Sequence, residues 1–181
     1  MSATNNRSAC AYYDNAVALF GMSKSFACPG LRLGWICTKN QELYDMMAKL
    51  KDYLTICPPA PSEVLALIAL RNKEKVLEKT LSLVKNNLAL LAEFCSRYPR
   101  FLQWFPPRAG TVGFLRLTDE LLEQSKGGAT GFCEEVLAQR QLLLLPASQF
   151  DFDDKYVRIG FGREGLSKCL GQLEEFLKTF N

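Results

Sequence analysis

The sequence predicts a mixed chain: an α/β portion, one long joining helix, then an α+β unit on a mainly antiparallel sheet. Three observations carry this. Up to about residue 72, short apolar runs alternate with amphipathic helical patterns. Apolar residues at spacings of three and four then run through residues 73–97 without a break. Beyond them, four short apolar runs lie at 101–105, 114–117, 142–145 and 156–160, separated by turn residues or a helical pattern. The expected boundaries are therefore 1–72, 73–97 and 98–181.

The elements follow in order. Residues 1–15 are polar and irregular. Residues 17–20 and 33–36 read as two short buried strands around a turn at Pro29-Gly30. Lys24 then stands at the end of a buried strand, where burial disfavours charge and favours a nucleophilic amine. Residues 40–55 read as a helix, with Leu43, Met46, Met47, Leu50 and Leu54 on one face. Cys57-Pro58-Pro59-Ala60-Pro61 breaks it, and Ser62-Glu63 opens a second apolar helix that runs to Ala69. In the long helix, Leu77, Leu81, Val84, Leu88, Leu91 and Cys95 form the inward stripe, with Lys73, Lys75, Glu78, Lys79 and Lys85 outside. Tyr98-Pro99 ends it. Gly110-Thr111-Val112-Gly113 leads into the strand at 114–117, and Gly127-Gly128 reads as a loop. Helix 129–140 turns Phe132, Val136 and Leu137 inward. A buried strand at 142–145 stops at Pro146, residues 156–160 form the last strand, and 166–180 form the closing helix.

Composition narrows the function. With 181 residues, 48% of them hydrophobic and 23% charged, the chain has an ordinary globular balance. A net charge of +3 is too small to argue for nucleic acid or an anionic membrane as partner. No run of 18 apolar residues crosses a bilayer, and Met1-Ser2-Ala3-Thr4-Asn5-Asn6-Arg7 has no apolar core of a signal peptide. Seven cysteines, an odd number with no Cys-x-x-Cys pair, fit a reducing, cytoplasmic setting. The chain has no histidine, which removes Ser-His-Asp and Cys-His nucleophile systems and most zinc sites. No metal is expected. Catalysis must rest on Lys, Arg, Tyr, carboxylate or a cofactor.

Two arginines and one lysine stand out. Lys24 sits among small and apolar residues, and Arg32 follows eight positions later. Arg158 lies inside the apolar run 156–160, where a cation needs an anionic partner. A structural salt bridge would satisfy it, and so would a ligand carboxylate. Gly160-Phe161-Gly162-Arg163-Glu164-Gly165 is formally a G-x-G-x-x-G. The residues after it leave no room for the return strand and ribose-binding carboxylate of a dinucleotide site. Those glycines instead let the strand turn tightly into the last helix, and Arg163 is a surface charge.

The stretch Gly21 to Gly34 closely resembles the cofactor-lysine segment of fold-type I pyridoxal-phosphate enzymes of the class I/II aminotransferase group. Cys28 departs from the larger apolar residue usual there. Gly21 stands where many members carry a phosphate-binding hydroxyl, so that contact is absent or supplied by another group such as Ser23. The run 51–57 and Ala60-Pro61-Ser62-Glu63 resemble the same group, and so does Val157-Arg158-Ile159-Gly160-Phe161-Gly162.

The resemblance implies an aminotransferase acting on amino acids and 2-oxo acids with pyridoxal 5'-phosphate as cofactor. Lys24 would form the Schiff base, Arg32 would hold the phosphate and Arg158 the substrate carboxylate. Residues 1–72 would be the C-terminal part of the large cofactor-binding domain, 73–97 a linking helix and 98–181 the small domain. It further implies a homodimer. Members carry a long portion before the lysine segment, so the expectation is an incomplete chain, inactive alone; the alternative is a non-catalytic remnant or interaction module that keeps the small domain.

Overall fold

The computed structural model describes residues 7–180. The reading of residues 1–6 as leader-free lies outside them. The chain divides into two compact units, between Thr80 and Leu81.

In the first unit, β1 (Val17–Gly21) and β2 (Gly34–Thr38) pair antiparallel, from Val17 opposite Thr38 to Gly21 opposite Gly34. The strands meet so closely at Gly34 that a Cβ there would lie 2.5 Å from the Phe20 carbonyl oxygen. Both strands were expected to be buried, and neither is: Leu19 is 78% and Ile36 50% exposed. A continuous apolar run marks a strand that suits an apolar neighbour, but this is a two-stranded sheet and no third strand joins it among the described residues. Helix α1 (Gln41–Leu54) begins at Asn40, whose Oδ1 accepts from the Leu43 N–H at 3.0 Å. Its apolar face is real but uncovered, with Met46, Leu50 and Leu54 all exposed. Helix α2 (Ala60–Arg71) starts earlier than expected. Pro61 falls in its first turn, where no backbone N–H is needed, so it opens the helix rather than delaying it. Of α2 only Ala66 is buried.

Helix α3 (Lys73–Arg97) has the expected bounds and contains the division. Its buried stripe is Val84, Asn87, Leu91, Phe94 and Cys95. Leu81, expected inside, is exposed, and Leu77 and Leu88 are half-buried. Periodicity marked the face correctly, but packing begins only at Val84, where the core cluster starts.

The second unit holds a four-stranded antiparallel sheet in the order β3-β4-β6-β5. Its strands are β3 (Leu102–Trp104), β4 (Val112–Leu117), β5 (Leu145–Pro146) and β6 (Tyr156–Gly160). Period-2 alternation sends Leu115, Leu117, Val157 and Ile159 to the inner face. There they join one cluster with Phe94 of α3, Phe132 and Val136 of α5 (Gly128–Arg140), and Leu170, Leu173 and Phe176 of α6 (Leu166–Leu177). Each such side chain contributes about 1.5–3 kcal/mol on burial.

Four expectations need correction here. The buried strand at 142–145 is largely an extended edge segment; only Leu145 and Pro146 pair, with Leu143 69% exposed. Pro146 does not stop this strand but belongs to it, as an edge position without a ladder donor allows. On α5, Leu137 faces outward and Cys133 inward. Gly127 and Gly128 are not a free loop: Gly127, at φ 91°, caps α5 and Gly128 is its first residue. The loop before β6 closes over that end. Asp154 accepts from the Thr130 N–H at 3.1 Å and from Thr130 Oγ1 at 2.7 Å, and its carbonyl accepts from the Ala129 N–H at 2.8 Å. A short helix that the sequence reading passed over, α4 (Asp119–Gln124), is capped by Thr118, with Asp119 and Glu120 in its first turn. Those cap residues were the available signal.

Candidate cofactor and substrate sites

Lys24 and Arg32 occupy one loop. The β1–β2 ladder continues one step beyond Gly21 and Gly34, with the Met22 N–H donating to the Leu33 carbonyl at 3.0 Å. Lys24 is therefore two residues from the last rung on one side, and Arg32 is one residue from it on the other. The loop between is built rather than slack. The Cys28 N–H donates to the Met22 carbonyl at 2.9 Å, the Ala27 N–H to the Lys24 carbonyl at 3.0 Å, and Met22 is fully buried. Pro29–Leu31 forms a 3-10 turn that ends on Arg32.

Ala27 (φ 53°) and Arg32 (φ 51°) both adopt the left-handed conformation, which disfavours residues with a side chain. Strain held in a short loop is commonest where position matters to function. The Arg32 guanidinium donates Nη1 to the Pro29 carbonyl at 3.1 Å. Among the described residues neither Arg32 nor Lys24 forms an ion pair. Lys24 is exposed, against the expectation of a buried lysine, because it lies in the turn beyond β1 and β1 itself is uncovered.

A primary amine and a fork-shaped cation, both unpaired and rooted at one loop stem, fit a small molecule carrying an aldehyde and a phosphate. Among the described residues no cluster of His, Cys, Asp and Glu fits a metal ion.

Arg158 belongs to the second unit, on the central strand β6, and its side chain is half-buried. Its cross-strand neighbours are Phe114 on β4 and Leu145 on β5, neither of which can pair a charge. Its guanidinium carbon lies 5.0 Å from the centre of the Phe150 ring. The structural salt bridge is absent: no carboxylate among the described residues pairs with Arg158. Arg97, Arg100 and Arg116 in the same unit do pair, with Glu174, Glu120 and Asp119. Arg158 thus keeps its in-plane donors for something else.

The segment after β6 is fixed in place. Asn87 is buried on α3, and its Nδ2 donates to the carbonyls of Phe161 at 3.0 Å and Arg163 at 2.8 Å. The Phe161 N–H donates to the Thr111 carbonyl at 2.9 Å. A Cβ on Gly162 would lie 2.8 Å from that of Thr111, and Gly165 (φ 88°) caps α6. Sequence reasoning missed Asn87 and Phe150. Asn87 had a signal, a polar residue at an inward helical spacing from Val84 and Leu91; Phe150 lies in a turn with no periodicity to place it.

These features belong to a known family. The chain matches the aminotransferase class I and II family over residues 1–168. It is 28% identical over 168 residues to capreomycidine synthase of Streptomyces vinaceus, covering 92% of this chain and 41% of that protein. The fold is similar to that of a PLP-dependent aminotransferase from Streptococcus suis, with a TM-score of 0.82, 29% identity and coverage of 93% of this chain and 43% of that one. It is also similar in fold to aspartate aminotransferase from Thermotoga maritima, with a TM-score of 0.73, 23% identity and coverage of 92% and 41%.

The chain belongs to the class I and II aminotransferase family, whose enzymes depend on pyridoxal phosphate. It spans about two fifths of the length of these relatives.

Proposed function

We propose that this chain carries the cofactor lysine, the phosphate-binding arginine and the substrate-binding arginine of an aminotransferase acting on amino acids and 2-oxo acids. The observation that carries the reading is the pair Lys24 and Arg32, unpaired and rooted at one loop stem within the family match. Lys24 would hold the cofactor through its aldehyde group, and its amine, once released, would take and return the proton at the substrate α-carbon. The Arg32 fork holds the phosphate, and the free edge of Arg158 takes the substrate carboxylate. Pyridoxal phosphate, when bound, supplies the electron sink for the charge left at that carbon.

In this reading residues 1–72 are the cofactor-binding portion, 73–97 the linking helix and 98–181 the small domain. The described cysteines are all unpaired, which supports a cytoplasmic setting. No helix among the described residues is long and apolar enough to cross a membrane. The working form is a homodimer, as the resemblance implies; sedimentation velocity with and without cofactor tests this.

Incubation with pyridoxal phosphate, reduction with borohydride and peptide mass spectrometry test the central assignment. The pyridoxyl label is expected on Lys24, and Lys24→Ala is expected to lose it. Arg32→Ala is expected to weaken cofactor binding by roughly 10- to 100-fold, the worth of a charge-assisted hydrogen bond. A label on another lysine overturns the assignment.

A further inference from the structure

The outer face of the second unit's sheet holds an aromatic group that the proposed chemistry does not use. Phe114 stacks on Phe152, with centroids 5.2 Å apart and planes 7° from parallel. Phe150 lies 6.1 Å from Phe114, and Tyr156 meets Phe152 edge-on at 5.1 Å. The alternation that sends Val157 and Ile159 inward sends Tyr156 and Arg158 to this face, with Phe114 directly opposite Arg158.

Three physical points follow. First, α3, α5 and α6 contribute to the core on the other face, and among the described residues no helix of that core covers this one. Phe150 and Phe152 remain 42% and 50% exposed. Rings that served only to cover a sheet would bury themselves more fully. Second, the Arg158 guanidinium carbon lies over the Phe150 ring, 5.0 Å from its centre. A cation–π contact holds the charge without supplying an oxygen acceptor, and no carboxylate among the described residues pairs with Arg158, so a ligand carboxylate can still take its N–H groups. Third, the cations beside the shelf are paired, among the described residues. Arg116, on the same face, donates to Gln103 at 3.1 Å and pairs with Asp119 at 3.2 Å, and Lys155 pairs with that same carboxylate at 3.2 Å. A ligand's second carboxylate would find no partner on this shelf.

We infer that this face selects the substrate: Arg158 takes the carboxylate, and the shelf of Phe114, Phe150 and Phe152 takes an aromatic or large apolar side chain in preference to an acidic one. The inference rests on the reading of Arg158 as the substrate-carboxylate arginine. Arg163 is the competing feature. It shares with Arg158 a cleft of about 310 Å³ beside Leu143 and Leu144, and it would favour a dicarboxylate.

The test needs neither cofactor nor turnover. The 181-residue chain is titrated by ligand-observed NMR with 3-phenylpropionate, butanoate and butanedioate. The aryl acid is expected to bind about threefold to tenfold tighter than butanoate, the worth of an added aromatic contact, and butanedioate no tighter than butanoate. Phe152→Ala is expected to weaken the aryl acid more than butanoate, bringing the aryl preference towards one. Arg158→Ala is expected to abolish binding of all three.

Equal binding of the aryl acid and butanoate overturns the shelf, even with Arg158→Ala silencing both. Tighter binding of butanedioate, lost in Arg163→Ala, overturns it in favour of the cleft. Butanoate binding that survives Arg158→Ala overturns the reading of Arg158 itself, as does the absence of saturable binding by any of the three. If Phe152→Ala fails to fold by circular dichroism, the ligand comparison on the unaltered chain decides alone.

Discussion

The two units use similar apolar residues to opposite ends. Up to Thr80 the buried apolar residues are Met22 and Ala66, among the described residues. From Leu81 on, one cluster runs from Val84 through Leu115, Phe132 and Val157 to Leu177. The first unit is not poor in apolar side chains: Val64, Leu65, Leu67 and Ile68 follow one another closely on α2, and all are exposed. Its sheet has two strands and the other four, and among the described residues α1 and α2 bury only Ala66 between them. Burial, not apolar content, is therefore what separates the units. The loop bearing Lys24 and Arg32 is ordered by its own hydrogen bonds and one buried methionine, while Arg158 is ordered by a full core beneath its strand.

The sharpest way to break this comparison is a pair of truncations. Phe132→Ala, at a fully buried position touching Phe176, is expected to cost about 3–5 kcal/mol in urea unfolding of the second unit. Leu67→Ala, on exposed α2, is expected to stay within about 0.5 kcal/mol. Equal losses would mean that the first unit holds a core of its own.

A smaller effect is expected at Gly131. A Cβ there would clash with the Lys126 carbonyl oxygen, so Gly131→Ala forces the α4–α5 connection apart. A loss of about 1–3 kcal/mol is expected, read as a lowered melting temperature of the second unit.

The smallest effect concerns the thiols. Burial pushes Cys95 up to about 11 and Cys133 up to about 12, from an ordinary value of 9.0. Unfolding releases both to the ordinary value, so their contribution is fully present below pH 9 and is lost as pH rises towards 11 and 12. The second unit is thus expected to lose urea resistance above pH 9, and a Cys95→Ala, Cys133→Ala variant to lose less of it over the same range. At pH about 8, a maleimide is expected to label exposed Cys37, Cys57 and Cys169 well before Cys95 and Cys133. Labelling of all at one rate would show that the second unit is open too.

Much of the fold was legible because its cues are local. The bounds of α3 and of β6 follow from periodicity and from the residues that end each run, Tyr98-Pro99 and Gly160. Where reading failed, the missing fact was a partner. Leu81 and Leu137 sit on apolar stripes but outside the reach of the core, which no spacing reveals. Residues 17–20 have the composition of a covered strand, yet coverage depends on what else is present. At the candidate sites, the spacing of Lys24 and Arg32 was visible in the sequence, but their sharing of a loop stem needed the register of β1 on β2. That Arg158 has no carboxylate partner was not readable either, since Asp151, Asp153 and Asp154 lie close by in sequence. Only the fold turns Asp154 to Thr130 and leaves the guanidinium against Phe150.

The clamp at Asn87 is one that only an amide can make. Its Nδ2 carries two hydrogens, and Phe161 and Arg163 each accept one. Aspartate has the same shape but only acceptors to offer, so it would face two carbonyl oxygens with nothing to give them. Asn87→Asp, a change of one group with no change of shape, would turn a double tether into mutual repulsion. The segment that follows Arg158 would lose its tether to α3 while every other residue stayed the same.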